Sequence, residues 1–240
     1  MPTYNEAANV GPMINLLFGE VFPVISGADM SLLVVDDDSP DGTGEIVGKM
    51  QACFDRLYLS IGIKTGLGHA YVRGMRYAMD RLGADAVVEM DADFQHDPKY
   101  LIPMVKAFAE GADYVIGSRF TPGGSIPPGW AWHRRAVSIL GNAFARRMLK
   151  LPGIHDLTTG FRLTRVRGVL DRIDLTLLMA LNRFAYKVDL LYRSVMLAER
   201  TVEVPIHFLE RHDERSKFSV QEIFSTLKVV IRLRFISKSH

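Results

Sequence analysis

Short apolar runs alternate with amphipathic stretches through the first 120 residues, and this alternation restricts the chain to few folds. A short apolar run predicts a buried strand, and a 3.6-residue periodicity predicts a helix. Strands separated by helices form a mostly parallel sheet flanked by helices, so we expect an α/β fold. Ligands of such sheets bind beyond the carboxyl ends of the strands. The predicted strands lie at 31–35, 57–61, 86–90 and 114–117, and the predicted helices at about 6–18, 41–53, 67–82 and 98–110.

The N-terminus departs from this pattern. Pro2 to Glu6 form a loop-then-helix signal with no strand before it. A doubly wound domain needs a strand at that place. We therefore expect the first strand to be missing here or to lie upstream of residue 1.

The second half of the chain has a different organisation. A Gly- and Pro-rich loop at 121–129 predicts a functional or mobile connection. A basic helix is predicted at about 134–150, and residues 201–208 alternate as in a strand, where Pro205 favours an edge position.

The tail carries a predicted helix at about 219–236 with one apolar face and several basic residues. We expect a catalytic domain over 1–218 and an amphipathic basic helix over 219–240 that contacts a membrane surface or a partner. The apolar face consists of Val220, Ile223, Phe224, Leu227 and Ile231.

Charge is distributed unevenly along the chain. Residues 1–120 hold 9 Lys and Arg against 17 Asp and Glu, whereas residues 121–240 hold 20 against 10. The acidic half is suited to a cation, and the basic half is suited to phosphates or an anionic membrane. A nucleic acid is not expected as a partner, because the acidic half repels a polyanion and no nucleic-acid-binding motif occurs.

The cysteine content and hydropathy bear on location. Cys53 is the single cysteine, so an internal disulfide and a cysteine-based metal site are excluded. No run approaches the roughly 18 apolar residues of a membrane span, and the N-terminus lacks a signal-peptide pattern. A cytoplasmic protein is expected.

The most informative cluster is Asp91-Ala92-Asp93-Phe94-Gln95, directly after an apolar run. In an extended backbone, Asp91, Asp93 and Gln95 would point to one side. Two adjacent carboxylates repel unless a cation lies between them, and carboxylate and amide oxygens suit Mg²⁺ or Mn²⁺. The pattern therefore predicts a divalent metal site; a solvated acidic turn is the alternative.

A second acidic cluster follows the strand predicted at 31–35. Asp36, Asp38 and Asp41 are expected to serve a turn and a helix cap. Asp37 is expected to be functional, because a carboxylate at a strand end can bind a ribose or a base. The Gly-containing segment at 64–70 is either a nucleotide-binding turn or a plain one.

Basic residues of the second half favour a phosphate-rich substrate, because guanidinium groups suit phosphate oxygens and ammonium groups act as point charges. They follow the predicted strand at 114–117, begin the basic helix, or precede the tail. They include Arg119, Arg134, Lys187, Arg211, Arg215 and Lys217.

A series of motifs, in order along the chain, resembles the dolichol-phosphate or polyprenol-phosphate mannose synthases of glycosyltransferase family 2. The resemblance covers about residues 2–217. Its motifs are Pro2–Glu6, Val34–Thr43, Gly66–Gly68, Met90–His96, Gly117–Arg119, Gly123–Ile126 followed by Trp130, Trp132 and Arg134–Arg135, and Asp156–Phe161.

This resemblance implies a GT-A fold, GDP-mannose as donor, a polyprenyl or dolichyl monophosphate as acceptor, and Mg²⁺ or Mn²⁺. It assigns guanosine binding to Pro2, Tyr4, Glu6, Val35 and Asp37. It assigns Asp91, Asp93 and Gln95 to the metal, with Ala92 in the same donor-binding segment. It places Arg119, Arg134, Ser138, Lys187, Arg211 and Lys217 around the phosphates, and Asp93, Arg119, Arg211 and Lys217 are the expected catalytic residues.

The expected reaction is mannosyl transfer with inversion at the anomeric carbon. The protein is expected to bind peripherally to the cytosolic face of a membrane. A lipid phosphate is mostly dianionic at neutral pH and needs no protein base, so Asp156 is expected to position nearby Arg side chains. Two alternatives remain open from the sequence. One is a polyprenyl-phosphate glucosyltransferase that uses UDP-glucose, and the other is a non-catalytic nucleotide-sugar-binding subunit.

Overall fold

The computed structural model describes residues 1–210 and 220–236. Its first sheet is parallel, in the order β1-β2-β3, with β1 at Pro2–Thr3, β2 at Leu32–Asp36 and β3 at Leu57–Ile61. Here the structure differs from the sequence prediction, because a short first strand is present. Thr3 pairs with Asp36 in β1–β2, and the Thr3 hydroxyl donates a hydrogen bond to the Asp36 carboxylate (2.7 Å). Two residues are too few to show an alternation in the sequence.

The second sheet is mixed, in the order β4-β6-β5-β7. Its strands are β4 at Ala86–Glu89, β5 at Tyr114–Ser118, β6 at Arg162–Arg165 and β7 at Thr201–Pro205. β6 runs antiparallel to both of its neighbours, whereas β5 and β7 are parallel. β7 ends the sheet order, which confirms the edge position that Pro205 predicts. The α/β fold with a mostly parallel sheet is confirmed, and β6, like β1, is a strand that the sequence does not indicate.

Helices connect and cover the two sheets. They are α1 at Ala7–Leu16, α2 at Thr43–Met50, α3 at Leu67–Asp80, α4 at Leu101–Ala109, α5 at Trp132–Leu149, α6 at Tyr186–Leu197 and α7 at Val220–Ile236. One core cluster joins α1, α4 and both sheets, and a second joins α5, α6 and α7. In the part of the chain that the structure describes, no helix has the length and apolar character that a membrane crossing requires.

The tail helix α7 has three distinct surfaces. Val229, Val230 and Leu233 are buried against α5 and α6. Val220 and Phe224, with 67% and 68% of their surface exposed, face solvent. The apolar face expected from the sequence is thus divided, since Ile223 and Leu227 line a cavity while Val220, Phe224 and Ile231 are exposed.

Candidate active site

One large cavity, of about 1230 Å³, opens at the carboxyl ends of the strands. Most residues that the sequence assigns to a site line it, although they come from distant parts of the chain. They are Pro2, Tyr4, Glu6, Asp37, Asp91, Ala92, Asp93, Gln95, Arg119, Arg134, Ser138 and Lys187.

Three predicted site residues are not in this set. Val35 is 2% exposed within β2, and its backbone N–H donates to the carbonyl of Met1, so it does not reach the cavity. Arg211 and Lys217 lie outside the described residues. Arg215, also expected to face phosphates, lies outside them as well.

The N-terminal end of the cavity combines an aromatic ring with charges of both signs. The Lys64 ammonium lies 3.1 Å from the centre of the Tyr4 ring. The Asp37 carboxylate is nearly buried and accepts a hydrogen bond from Arg73 (2.8 Å). A flat ring, an ammonium donor and a carboxylate acceptor are the groups that a nucleobase and ribose require.

The Asp91–Gln95 segment turns instead of continuing β4. β4 ends at Glu89, and Phe94 has a φ of +59°, which is uncommon for a residue with a side chain. The Gln95 backbone N–H donates to the Asp93 carboxylate (3.1 Å), which closes the turn. The prediction of an extended segment is therefore wrong, because this side-chain hydrogen bond competes with the strand.

The turn still presents Asp91, Asp93 and Gln95 to the cavity. Gln95 also donates through its side-chain amide to the Leu209 carbonyl (3.3 Å). Among residues 1–210 and 220–236, no group of three or more His, Cys, Asp or Glu side chains is arranged to hold a metal. A metal at this turn would therefore draw on two carboxylates and an amide, with further positions left for a ligand.

Lys187, at the start of α6, brings a buried positive charge to this turn. Its ammonium lies 3.5 Å from the Asp91 carboxylate, which also accepts a hydrogen bond from the Tyr71 hydroxyl (2.7 Å). Gly160 makes this position possible, since a Cβ there would collide with the Lys187 ammonium.

Arg119 follows β5 and forms a two-pronged ion pair with the fully buried Asp156 carboxylate, at 2.7 and 2.8 Å. Burial by itself would raise the pKa of the Asp156 carboxyl, but the charge and hydrogen bonds of Arg119 hold it below its ordinary value. Arg119 also donates to the Thr158 hydroxyl (2.8 Å). Glu203 of β7 in turn accepts the backbone N–H groups of His155 and Asp156. Asp156 thus positions an Arg side chain and stays ionised.

A second guanidinium lies near the first. Burial and the positive charge of Arg119 lower the pKa of Arg134, which stacks over the Trp130 ring at 3.7 Å. The two positive charges repel each other, and an anion bound beside both would relieve this repulsion. The pair is therefore suited to bind an anion.

His96 is buried and hydrogen-bonded. Burial lowers the pKa of His96 to about 4, so its imidazole is neutral at pH 7. Its Nδ1 accepts the Asp91 backbone N–H at 3.5 Å, and its ring stacks on Phe161. His96 therefore supports the turn as an acceptor and carries no charge into the cavity.

An apolar wall of the cavity comes from side chains of α5, of α7 and of the segment before α6. They include Val137, Phe144, Phe184, Ile223, Leu227 and Val230. Polar side chains of the same two helices, among them Ser138 and Thr226, also line the cavity. The same cavity therefore offers both charged groups and a hydrocarbon surface.

This combination of acidic turn, cations and strand-end cavity agrees with a family comparison. The pattern described as "Glycosyl transferase family 2" matches residues 1–172. The chain belongs to glycosyl transferase family 2. It is a glycosyltransferase, as the sequence motifs predict.

Two curated relatives extend the comparison over most of the chain. The polyprenol monophosphomannose synthase of Mycolicibacterium smegmatis is 39% identical over 225 residues, which is 93% of this chain and 81% of the relative. The undecaprenyl-phosphate mannosyltransferase of Micrococcus luteus is 39% identical over 220 residues, or 91% and 86% of the two chains. The resemblance to polyprenol-phosphate mannose synthases is confirmed.

Solved structures support the fold. The glucosyl-3-phosphoglycerate synthase of Mycobacterium tuberculosis, in complex with Mn²⁺, UDP and phosphoglyceric acid, superposes with a TM-score of 0.63 at 16% identity, covering 97% of this chain and 76% of that one. The mannosyl-3-phosphoglycerate synthase of Rubrobacter xylanophilus gives a TM-score of 0.64 at 18% identity, covering 99% and 73%. At these identities the likeness establishes a shared GT-A-type fold.

Sequence reasoning missed the residues that hold the site together. Asn142 of α5 accepts the Leu157 backbone N–H and donates to the Thr158 hydroxyl, so it fixes the loop that carries Asp156. Nothing local to Asn142 signals this role, because its partners lie 15 and 16 residues away.

Proposed function

We propose that this chain transfers mannose from GDP-mannose to a polyprenyl or dolichyl monophosphate, with inversion at the anomeric carbon. The observation that carries the proposal is that the acidic turn, the cations and the apolar wall all line one cavity. A nucleotide sugar and a lipid phosphate need all three features together. The names of the two 39% identical relatives support the acceptor and the sugar.

The donor is proposed to lie at the N-terminal end of the cavity. Pro2, Tyr4, Glu6 and Asp37 would enclose the guanosine, while Val35 would support them only from within the sheet. Lys64 joins this set on structural grounds, because it already lies over the Tyr4 ring.

Asp91, Asp93 and Gln95 fit a divalent cation, Mg²⁺ or Mn²⁺, because their oxygens are hard donors that face one cavity. A bound cation would neutralise the diphosphate and stabilise the departing GDP. A protein of the same fold contains Mn²⁺ in its solved structure.

The acceptor phosphate is proposed to lie among Arg119, Arg134 and Lys187, with Ser138 at the edge of the cavity. Arg211 and Lys217 are proposed to complete this set from beyond the described residues. At neutral pH the acceptor is mostly dianionic, so one of its oxygens attacks the anomeric carbon without a protein base. The bond to GDP breaks, GDP leaves with the electron pair, and direct attack gives a β-linked product. The cations offset repulsion between the two phosphate groups.

A peripheral position on the cytosolic face of a membrane is proposed from the surfaces of α5 and α7. Both helices leave large apolar side chains exposed, among them Leu140 (67%) and Phe224 (68%). Lys228 and Arg232 are exposed on α7. Peripheral helices bind anionic lipid through exposed apolar and basic side chains. Each basic residue near the surface contributes on the order of 1 kcal/mol to the binding free energy. Alternatively, a membrane-anchored partner subunit covers the exposed side chains of α5 and α7.

Transfer of label from GDP-mannose to lipid tests the chemistry. The protein is incubated with radiolabelled GDP-mannose, a polyprenyl phosphate and Mg²⁺ or Mn²⁺, followed by lipid extraction, with UDP-glucose in a parallel reaction. A mannolipid whose formation depends on the metal is the expected product. Incorporation from UDP-glucose alone would show that the transferred sugar is glucose and not mannose. No incorporation from either donor would reject the proposal.

Binding to vesicles tests the membrane position. Sedimentation with vesicles that contain anionic lipid should occur at low salt and weaken as salt rises. Phe224→Ser should reduce it, whereas Val24→Ser, which changes a 60% exposed apolar residue on another element, should not. Equal loss in both variants would reject α7 as the contact.

A further inference from the structure

Arg162 is a fully buried arginine that does not line the cavity. It begins β6 and pairs in register with Glu89 of β4 and Ile116 of β5. Glu89 is itself buried, and neither of its carboxylate oxygens has a hydrogen-bond partner in the described part of the chain. Burial raises the pKa of the Glu89 carboxyl, and the charge of Arg162 opposes that rise.

The Arg162 guanidinium links two separate segments of backbone. One of its nitrogens donates to the Lys187 carbonyl (2.6 Å), and another donates to the Leu157 carbonyl (3.2 Å). Lys187 presents its ammonium to Asp91. Leu157 lies between Asp156 and Thr158, which both hold Arg119. One side chain therefore ties together the two segments that present cations to the cavity.

We propose that Arg162 is a positioning residue that fixes Lys187 relative to Arg119, so that both cations face the phosphates in the orientation that transfer requires. This inference rests on the proposed function. Arg162 does not touch the cavity and acts only through the two carbonyls. The buried Glu89 carboxyl, its register neighbour on β4, interacts with the Arg162 charge electrostatically.

The cost of burying the Arg162 guanidinium supports a role beyond stability. Replacing buried charged groups by apolar residues of similar size is often neutral or stabilising, so their burial is weak evidence of stabilisation. Here the guanidinium reaches two carbonyls that are 30 residues apart in sequence. An apolar side chain could fill the space but could bond neither carbonyl.

Arg162→Lys is the first test, because it keeps the charge but lacks the planar fork that spans two acceptors. We expect an unchanged affinity for GDP, within about two-fold, and at least a ten-fold loss of turnover, with a raised KM for the polyprenyl phosphate. Arg165→Lys is the matched control on the same strand, where Arg165 pairs with Asp113 away from the cavity. It should leave the GDP affinity, the turnover and the KM for the polyprenyl phosphate unchanged. Full turnover in Arg162→Lys would overturn the proposal.

A charge-balanced variant separates positioning from folding. Arg162→Met leaves Glu89 buried without its counter-charge and should lower the melting temperature. Adding Glu89→Met should recover the melting temperature but not the turnover. Recovery of both would show that Arg162 only compensates Glu89.

Amide hydrogen exchange keeps this proposal distinct from the proposed function. Arg162→Lys should speed exchange at Thr159, whose N–H bonds to Asp156, and at Lys187, with no change in α1. If the wild-type protein shows no mannosyl transfer but these two segments loosen together, the function fails and the linkage stands. If neither segment changes, the linkage fails whatever the assay shows.

Discussion

Two acidic strand ends lie on the same side of the molecule, and their side chains are used in opposite ways. At the end of β2, the Asp36 carboxylate is 1% exposed and accepts hydrogen bonds from Thr3 and from the backbone and side chain of Ser39. At the end of β4, Asp91 and Asp93 face the cavity, and Asp91 lies beside the Lys187 ammonium. Neutral donors surround the first carboxylate, whereas a cation approaches the second pair.

This difference shows that residue type and place at a strand end do not decide function. A carboxylate whose oxygens are occupied by neighbouring donors holds a turn together. A carboxylate that faces a cavity with a second carboxylate can attract a cation. Asp37 lies between these cases, since it is nearly buried, lines the cavity and bonds to Arg73.

The largest effect is expected at the β4 end. Asp93→Asn keeps the shape of the side chain and its capacity to accept the Gln95 N–H, but removes a charge. Turnover should fall roughly 100- to 1000-fold, as when a charge-stabilising group is removed from an active site. Mannolipid formation measures this, with thermal unfolding as the control for folding. Turnover near that of the wild type would show that Asp93, like Asp36, has a structural role, and would contradict the comparison.

A smaller effect, on stability, is expected at the β2 end. Asp36→Ala leaves the buried Thr3 hydroxyl without its acceptor and should lower the free energy of unfolding by about 2 kcal/mol. Urea unfolding measures this. The protein that remains folded should bind GDP as the wild type does, so a loss of GDP binding at unchanged stability would contradict the comparison.

Asp37→Asn should act on nucleotide binding alone. The amide keeps one acceptor but loses the charge that pairs with Arg73, so affinity for GDP should fall about ten-fold, or about 1.4 kcal/mol. Calorimetric titration with GDP checks this. Mn²⁺ binding should stay unchanged, and a parallel loss of Mn²⁺ affinity would place Asp37 with the β4 pair.

Asp38→Asn should have the smallest effect. Asp38 is exposed with a φ of +53°, a conformation that Asn adopts readily, and it does not line the cavity. Stability should change by less than about 0.5 kcal/mol and turnover by less than two-fold. A large loss of activity would show that the cluster acts through its summed charge rather than through single contacts.

The sequence predicted the elements whose signal is local. β2 to β5 and the helices between them follow apolar runs and regular periodicity, and the structure confirms them. β6 was missed because it begins and ends with arginine, and Arg162 is buried only through distant partners. α6 was missed because polar side chains, including Lys187, Asp189 and Ser194, are buried in it and hide its amphipathic pattern.

The same distinction holds for the site. The strand-end motifs with Asp37, Asp91 and Asp93 are contiguous in sequence and were found, although the turn at Phe94 was not. Arg119 and its partner Asp156 are 37 residues apart in sequence. Glu203, which accepts the Asp156 backbone N–H, lies a further 47 residues along the chain. Contacts of that span leave no periodicity or spacing in a single sequence, so only the fold reveals them.

Gly160 contributes no functional group, yet the space beside it is filled by the ammonium of Lys187. In a saturation mutagenesis screen scored by activity, position 160 should be as intolerant as a residue that binds substrate. A screen scored by expression should rank it much lower, because the collision falls on one flexible side chain and not on the core. Such a divergence between the two screens would show, without any ligand, that activity depends on the space that the Lys187 ammonium occupies.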